Sequence, residues 1–455
     1  MSSACKKILF CLIFPILSVF SQTLTTLNGR IPDSSQEAFI AKHSYQKILI
    51  QNDHVVHMTA LISSVDLNDD GIDDFIVGFM ADPISQLGIP CCEVPRSRLG
   101  DLKKVPAQLV LSGPNGYRTM AIPESESFRT WAGEFFQLGG NTYFYLGKNG
   151  EVGLPKENAG EKSLLYKITR YDRDISFEKL WESSLATVTS SVSVYINNGL
   201  AYILENNYGR GSINSSPKGV YDTVMYKFDG TSMVGISLPN RLKERSADNN
   251  LRLVDFDNDG KIDLLAAAEV WKSLDGKELM TSWPESYVIS DVFSQSTKIP
   301  LSPAAFDKDH AGMAIGVLRN RKESVIVEIS SRFYGHQAGG FKGIAINGYQ
   351  VNDGMKPVPI NGILNSLLGT FRDLHELELN GLPLLVPGYY SKVPQSIQLT
   401  EELQIKISNI PVKNFDQGYV SAIIPLRLGD CRAFATTSAI PKSKKISISI
   451  SSCLN

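Results

Sequence analysis

Apolar residues recur along this chain in short runs of strand length, and turns rich in glycine, asparagine and aspartate separate the runs. Residues 445–451 alternate strictly between polar and apolar, residues 325–330 also alternate, and residues 108–113 form an apolar run that ends at a turn. Alternation with a period of two is typical of strands, and no long stretch carries the period of a helix. The pattern therefore predicts an all-β chain.

The same strand–turn–strand outline returns along most of the chain. It is clearest around Gly71 and Gly260, which lie 189 residues apart (260 − 71), an interval that fits about three units of roughly 63 residues. Weaker copies place further turns near Gly140, Gly199, Gly312, Gly381 and Gly429. Seven units of about 60 residues predict a seven-bladed β-propeller, because propellers have about four to eight blades. The alternative is another all-β architecture with glycine turns at similar intervals.

A ring of blades has to close, and the two ends of the repeat region can supply the strands. Residues 45–50 form an apolar run that can pair with the alternating strand at residues 446–450. This pairing would cover strand edges that otherwise invite aggregation. We therefore assign residues 45–455 to the propeller and residues 22–44 to an N-terminal extension.

Residues 1–21 have the features of an export signal. Lys6 and Lys7 precede an apolar run at residues 8–20, and a small-residue cleavage site at Ser21 precedes Gln22. The run has 13 residues, fewer than a membrane-spanning helix needs, and no later segment is apolar enough to span a bilayer. We predict an exported protein with no transmembrane anchor after cleavage. An uncleaved interfacial anchor is the alternative.

Net charge and cysteine content limit the kinds of partner and the cellular compartment that the sequence allows. A formal net charge of −2 leaves no basic field, so no nucleic-acid partner is expected. Signal cleavage would leave Cys91, Cys92, Cys431 and Cys453, which an exported protein can oxidise. Cys431 and Cys453 flank the last predicted hairpin, but the sequence leaves all three pairings of these thiols open.

Two acidic loops, residues 66–74 and 255–263, form the turns of the two clearest hairpins. Each has oxygen-bearing side chains at positions 1, 3, 5 and 9 and glycine at position 6. Such a set suits Ca²⁺, which accepts about six to eight oxygen ligands in flexible geometry. An EF-hand is disfavoured because position 12, where it needs glutamate, is Val77 or Ala266. A metal-free turn is the alternative, since aspartate and asparagine favour turns.

The loop pattern Asp-x-Asp/Asn-x-Asp-Gly-x-x-Asp, preceded by valine and followed by an apolar strand, resembles the FG-GAP/VCBS repeat family. Propellers of this family occur in integrin α-subunit heads, in some fungal and bacterial lectins and in many exported bacterial proteins. Two loops match the pattern, and the five weaker copies have lost most ligands. The resemblance implies a propeller with calcium-bearing hairpins, and it implies no single activity.

Carried over position by position, the resemblance implies two Ca²⁺ sites. The implied ligands are the side chains of Asp66, Asn68, Asp70 and Asp74 with the carbonyl of Ile72, and the side chains of Asp255, Asp257, Asp259 and Asp263 with the carbonyl of Lys261. Clustered carboxylates repel one another without a cation, so metal binding is expected to stabilise each hairpin. The second loop carries four carboxylates against three and an amide, and we expect it to bind Ca²⁺ more tightly.

No catalytic residue is predicted, because the chain has no nucleophile-elbow serine, phosphate-binding loop or zinc-protease helix. Residues 206–214 and the aromatic residues Trp271, Trp283, Tyr389 and Tyr390 are candidate ligand contacts, with buried packing as the alternative. We expect an exported calcium-binding module for a protein or glycan ligand, acting in recognition or adhesion. The alternatives are a polysaccharide-directed lyase or hydrolase with its site in the propeller channel, and a structural subunit of a cell-surface complex. The oligomeric state is not predicted.

Overall fold

The structure is a computed structural model that describes residues 34–81, 86, 101, 103–149, 161–171, 174–184, 189–207, 223–237, 248–268, 271–272, 278–279, 286–294, 299–301, 310–333, 341–364, 374–379, 381–390, 394–410, 421–439 and 443–454. The predicted signal peptide at residues 1–21 lies outside these ranges, as do Cys91, Cys92, Trp283 and residues 208–214.

The described residues are almost all in strands, which confirms the all-β class. One helix lies wholly within these residues, α1 (Ser34–His43), in the N-terminal extension, where the apolar pattern has no helical period. Ile40 of this helix packs against the largest hydrophobic core, and His43 Nε2 lies 2.9 Å from the carbonyl oxygen of Gly113. The extension is therefore attached to the sheets through Ile40 and His43 of this helix.

Three antiparallel sheets are built from strands in chain order after β1 (Lys47–Gln51). The first contains β2 (Val56–Val65), β3 (Asp74–Ala81), β4 (Gln108–Leu111) and β5 (Arg118–Ala121). The second contains β6 (Arg129–Leu138), β7 (Asn141–Asn149), β8 (Leu164–Tyr171) and β9 (Asp174–Glu182), and a pairing of Met80 with Arg129 joins it to the first. The third contains β10 (Thr189–Asn197), β11 (Leu200–Asn207), β12 (Val224–Phe228) and β13 (Met233–Ile236).

Four further groups of strands follow. Strands β14 (Asp248–Val254) and β15 (Asp263–Ala268) form a hairpin. Strands β16 (Trp271–Lys272) and β17 (Glu278–Leu279) form a separate two-stranded ladder. Strands β18 (Tyr287–Ile289) and β19 (Ile299–Pro300) extend the sheet of β14 and β15. Next come β20 (His310–Arg319), β21 (Ser324–Phe333), β22 (Phe341–Gln350) and β23 (Lys356–Pro357).

In the last two sheets, neighbouring strands do not always follow one another along the chain. One sheet runs from β25 (Leu374–Leu379) through β26 (Leu382–Pro387), β28 (Gln395–Leu399) and β29 (Ile405–Asn409) to β24 (Ile360–Asn361), which pairs parallel with β29. The other contains β27 (Tyr389–Tyr390), β30 (Ser421–Leu428), β31 (Cys431–Ala439), β32 (Lys445–Ile450) and finally β1.

Six of the seven predicted hairpin turns are present. Gly140 and Gly199 each close a two-residue turn in which both central residues have positive φ, as a type I′ hairpin requires. The turn predicted near Gly312 is wrong, because this residue lies inside β20. The hairpin instead turns at residues 320–323, where Asn320 Oδ1 accepts hydrogen bonds from the backbone N–H groups of Lys322 and Glu323. An asparagine side chain replaces the glycine as the turn-forming group.

The first strands of seven hairpins in the described residues contact one another in a closed cycle: β2, β6, β10, β14, β20, β25, β30 and again β2. Hydrophobic cores lie between neighbouring sheets of this cycle. One joins Leu109 of the first sheet to Phe144 of the second, and another joins Tyr145 to Phe228 of the third. The arrangement is β-propeller-like, because each sheet buries its two faces against its neighbours and points its first strand to the centre.

Side-chain hydrogen bonds join the first strands around the cycle. Ser63 Oγ accepts from the backbone N–H of Phe135 at 3.2 Å, and Glu134 Oε2 accepts from that of Val194 at 2.8 Å. Ser193 Oγ accepts from the backbone N–H of Leu253 at 3.0 Å. Strand edges that face the centre therefore find partners in the next sheet, which satisfies backbone groups that a ladder leaves free.

The predicted closing strand is confirmed. Strand β1 pairs antiparallel with β32, with Ile48 opposite Ile448, so the first and last parts of the repeat region share one sheet. A disulfide joins Cys431 to Cys453, one of the pairings that the sequence left open. It ties the chain beyond β32 back to the start of β31.

Candidate cation loops and central cavity

The two acidic loops have the same backbone arrangement. Residues at position 4, Asp69 and Asn258, have φ of 56° and 61°, and Gly71 and Gly260 at position 6 have φ of 85° and 81°. The glycines permit this left-handed turn without a Cβ penalty. In both loops the position 1 carboxylate accepts hydrogen bonds from the backbone N–H groups of positions 5 and 6, at 3.2 and 2.8 Å in the first loop and 3.0 and 2.9 Å in the second.

The position 9 carboxyls, Asp74 and Asp263, are fully buried. Asp74 accepts hydrogen bonds from the backbone N–H groups of Leu67 at 2.9 Å and Ser112 at 2.7 Å. Asp263 accepts from those of Phe256 at 2.9 Å and Asp291 at 2.8 Å. Burial raises the pKa of Asp74 to about 8 and that of Asp263 to about 7. A nearby cation would favour their charged forms.

The second loop brings three carboxylates together. Ligand oxygens of Asp255, Asp257 and Asp263 all lie within 4.8 Å of one another. Three oxygen donors at this spacing fit a hard divalent cation such as Ca²⁺. Asp259 is outside this group, since its carboxylate binds Lys261 Nζ at 2.8 Å, and the hydrogen bond from Lys261 lowers the pKa of Asp259.

The first loop already has protein donors on its carboxylates. Asn68 Nδ2 donates to Asp70 Oδ2 at 3.2 Å, and Ser112 Oγ donates to the same oxygen at 2.9 Å. Arg427 Nη2 of β30 lies 3.2 Å from Asp66 Oδ2. The backbone N–H of Ile72 donates to Asp70 Oδ1 at 2.9 Å, and Lys261 N donates to Asp259 Oδ1 at the same distance in the second loop.

A cavity of about 620 Å³ lies at the centre of the cycle, and the first strand of each of the seven hairpins contributes to its wall. Its acidic and basic lining residues are Asp73, Glu134, Glu376, Glu378, Arg252, Arg319, Arg427 and Arg432, and it is also lined by His375 and Tyr195. Acidic and basic groups are matched in number. Such a cavity has the volume of a small-molecule site, but its wall is more polar than is usual for one.

Arg252 of β14 crosses the wall of this cavity to a sheet that is not its neighbour. Its Nη2 lies 3.0 Å from Glu376 Oε1, and its Nη1 donates to the carbonyl of Leu374 at 3.1 Å. The intervening strand β20 has Gly316 there, where an added Cβ would lie 3.4 Å from Arg252 Nη1. The glycine leaves the space through which the arginine passes.

His375 is a half-buried titratable group of the cavity wall, and its Nε2 atom is buried. Its Nε2 has no hydrogen-bond partner among the described residues. Burial, together with the charge of Arg252, lowers the pKa of His375 to about 4. The imidazole is therefore neutral at neutral pH.

The sequence pattern did not single out the arginines of the cavity. They come from β14, β20, β30 and β31, far apart in the chain, and no spacing connects them. Their position in the hairpins could have identified them, because the first strand of each propeller hairpin faces the centre and its polar residues line the channel. Among the predicted aromatic contacts, Trp271 lies in β16 and Tyr389 and Tyr390 form β27.

Comparisons with known proteins add little to this site. No family model matches the chain, and no curated protein matches it. Among solved structures, the major Malassezia sympodialis allergen Mala s 1 shares 9% identity and a TM-score of 0.40 over 90% of this chain and 97% of its own. YjhT shares 12% identity and a TM-score of 0.39 over 79% and 99%.

A GH93 α-L-arabinofuranosidase of Fusarium graminearum, in complex with arabinobiose, shares 10% identity and a TM-score of 0.40 over 71% of this chain and 92% of its own. These scores assign neither a family nor an activity to the chain. In the described residues no helix has the length and apolar character that crossing a membrane requires.

Proposed function

We propose that this chain is an exported seven-bladed β-propeller that binds a glycan in its central cavity. The observation that supports the proposal is the cavity of about 620 Å³ to which all seven first strands contribute side chains. Carboxylates accept and guanidinium groups donate hydrogen bonds, so a wall that carries both suits the hydroxyl groups of a sugar. A concave polar cavity of this volume favours a glycan over a protein surface as the ligand.

Ca²⁺ is the cation that we assign to this propeller. The donor set of Asp255, Asp257 and Asp263 supports a site in the second loop, and the matching backbone of the first loop supports a second, weaker site. The implied ligand residues of both loops lie in hairpin turns and do not line the cavity, although Asp73 of the first loop does. Their cations therefore stabilise the fold, and the glycan binds elsewhere.

The test is a glycan array on the purified full chain, followed by calorimetry with the glycans that bind. Arg252→Ala removes a donor from the cavity wall and is expected to weaken binding at least about tenfold. Arg118→Ala is the matched control, since Arg118 pairs with Asp174 on the exposed outer strands. Binding that is absent on the array, or that Arg252→Ala leaves unchanged, contradicts the proposal.

A second candidate function, cleavage of the bound glycan, is favoured by one pair of carboxyls in the wall. Burial raises the pKa of Asp73, whereas Glu376 is half exposed beside Arg252. Carboxyls in such different environments can divide the roles of acid and base. Loss of turnover in Glu376→Gln or Asp73→Asn with retained glycan binding supports this candidate, and absence of turnover on every glycan that binds excludes it.

A further inference from the structure

Arg427 places a positive charge against the first acidic loop. Its Nη2 lies 3.2 Å from Asp66 Oδ2, and its Nε lies 3.7 Å from Asp73 Oδ1. Asp66 holds position 1 of the loop, the position from which a bound cation would take its first oxygen. The side chain of Asp66 is only 11% exposed and that of Arg427 is 35% exposed, so water screens the pair incompletely.

The backbone fixes Arg427 in this position. Asp73 N donates to the Arg427 carbonyl at 2.9 Å, and Arg427 N donates to Asp73 Oδ2 at 2.7 Å. Gly429 N donates to the carbonyl of Gly71 at 2.7 Å, and Ile72 and Leu428 form a β-bridge. The loop and the hairpin of β30 and β31 are thus joined as one unit, and the guanidinium belongs to the architecture of the loop.

The second loop is supported by an arginine in a different way. Arg319 Nη2 of β20 donates to the backbone carbonyl of Asp255 at 2.6 Å and leaves the carboxylate to other partners. The oxygens of Asp255, Asp257 and Asp263 that cluster within 4.8 Å have no ion pair with a lysine or arginine in the described residues. The two loops therefore have the same backbone but differ in their counter-charge.

We propose that Arg427 is the internal counter-cation of the first loop, and that a divalent cation binds there only in competition with Arg427 for Asp66. This inference rests on the proposed cation binding and refines it. The second loop then fills first, and the first loop fills at higher cation concentration. The difference in affinity comes from a residue of the neighbouring sheet, and not from the ligand count of the loop itself.

The experiment is Tb³⁺ luminescence and Ca²⁺ calorimetry on the full chain. Asp257→Asn removes a carboxylate from the second loop and isolates the first. In that background, Arg427→Gln is expected to tighten cation binding about tenfold, since it removes the competing charge. Arg170→Gln is the matched control: Arg170 pairs with Asp69, which is in the same loop but at no ligand position, and both side chains are exposed.

The outcomes separate the two proposals. Unchanged or weaker binding at the first loop in Arg427→Gln overturns the inference while leaving the second site intact, and an equal gain in Arg170→Gln overturns it too. No cation binding by the wild-type chain overturns the proposed calcium role and this inference together. Arg427→Lys keeps the positive charge and serves as the control for a folding defect in Arg427→Gln. Binding as weak as in wild type supports the inference, and binding as tight as in Arg427→Gln overturns it.

Discussion

At the scale of single residues, glycines decide how closely the strands approach. An added Cβ at Gly78 of β3 would lie 1.9 Å from the backbone carbonyl oxygen of Thr130 in β6. No side-chain rotation relieves a clash with backbone. At Gly235 of β13 no heavy atom lies within 4 Å of an added Cβ. The same residue type is thus a packing requirement at one position and a solvated strand residue at the other.

Gly78→Ala is expected to destabilise the protein by about 2–3 kcal/mol, because overpacking forces backbone shifts. Gly235→Ala is expected to change stability by less than about 0.5 kcal/mol, as surface substitutions do. Chemical denaturation monitored by circular dichroism measures both. Equal midpoints for the two variants would contradict the close approach of β3 and β6.

His375 gives the stability a pH dependence. Its pKa is lowered to about 4 in the folded chain, so below the ordinary value near 6.5 the unfolded chain takes up a proton that the folded chain does not. The contribution of His375 to stability is therefore fully present above about pH 6.5, and up to about 3 kcal/mol of it is lost as pH drops to about 4. His375→Gln should flatten this fall, and His54→Gln should not. Thermal unfolding between pH 7 and pH 4 measures the slopes, and parallel slopes for His375→Gln and wild type would refute the assignment.

At the scale of elements, each acidic hairpin combines local turn chemistry with a buried carboxyl. The loop pattern predicted the turn and four side-chain ligands for each. In the second loop the structure brings three of the four together and pairs Asp259 with the adjacent Lys261. The neighbour of an acidic residue in space, and not its position in the motif, determines whether its oxygens are available.

Asp263→Asn is expected to weaken cation binding at the second loop by at least about tenfold, since it replaces a buried carboxylate of the cluster by a neutral amide. Asp259→Asn is expected to change it less than about threefold, because Asp259 lies outside the cluster. Calcium calorimetry on both variants measures the two changes in affinity. A larger loss in Asp259→Asn would restore the ligand set implied by the sequence motif.

At the scale of the whole molecule, the cycle of sheets depends on its closure. Strand β1 joins β32 in a sheet that also contacts the first acidic loop through β30. Ile50 of β1 is 2% exposed and belongs to the largest core, whereas its neighbour Leu49 is 58% exposed on the other face. The closing strand therefore contributes apolar burial on one face only.

Ile50→Ala is expected to destabilise the protein by about 2–4 kcal/mol, the usual cost of truncating a buried aliphatic side chain. Leu49→Ala should cost less than about 1 kcal/mol, since little of its surface is buried. Denaturant unfolding of the two variants tests the closure. Similar midpoints would show that β1 is not part of the cooperative fold.

The strands, six of the seven hairpin turns and the closing pair of strands follow from local patterns in the sequence. These depend on alternation and on the turn chemistry of glycine and asparagine, which act over a few residues. The turn at Asn320 was not predicted, because the repeat pattern was defined by turn glycines. Helix α1 was not predicted, because the apolar pattern there has no helical period.

The pairing of charged side chains depends on the tertiary fold. Arg427 and Asp66 are 361 residues apart, and Arg252 and Leu374 are 122 residues apart, so no local pattern relates them. The ring geometry brings their strands together at the centre, and burial there sets the strength of each pair. The cavity wall and the unequal counter-charges of the two loops are for this reason properties of the folded cycle.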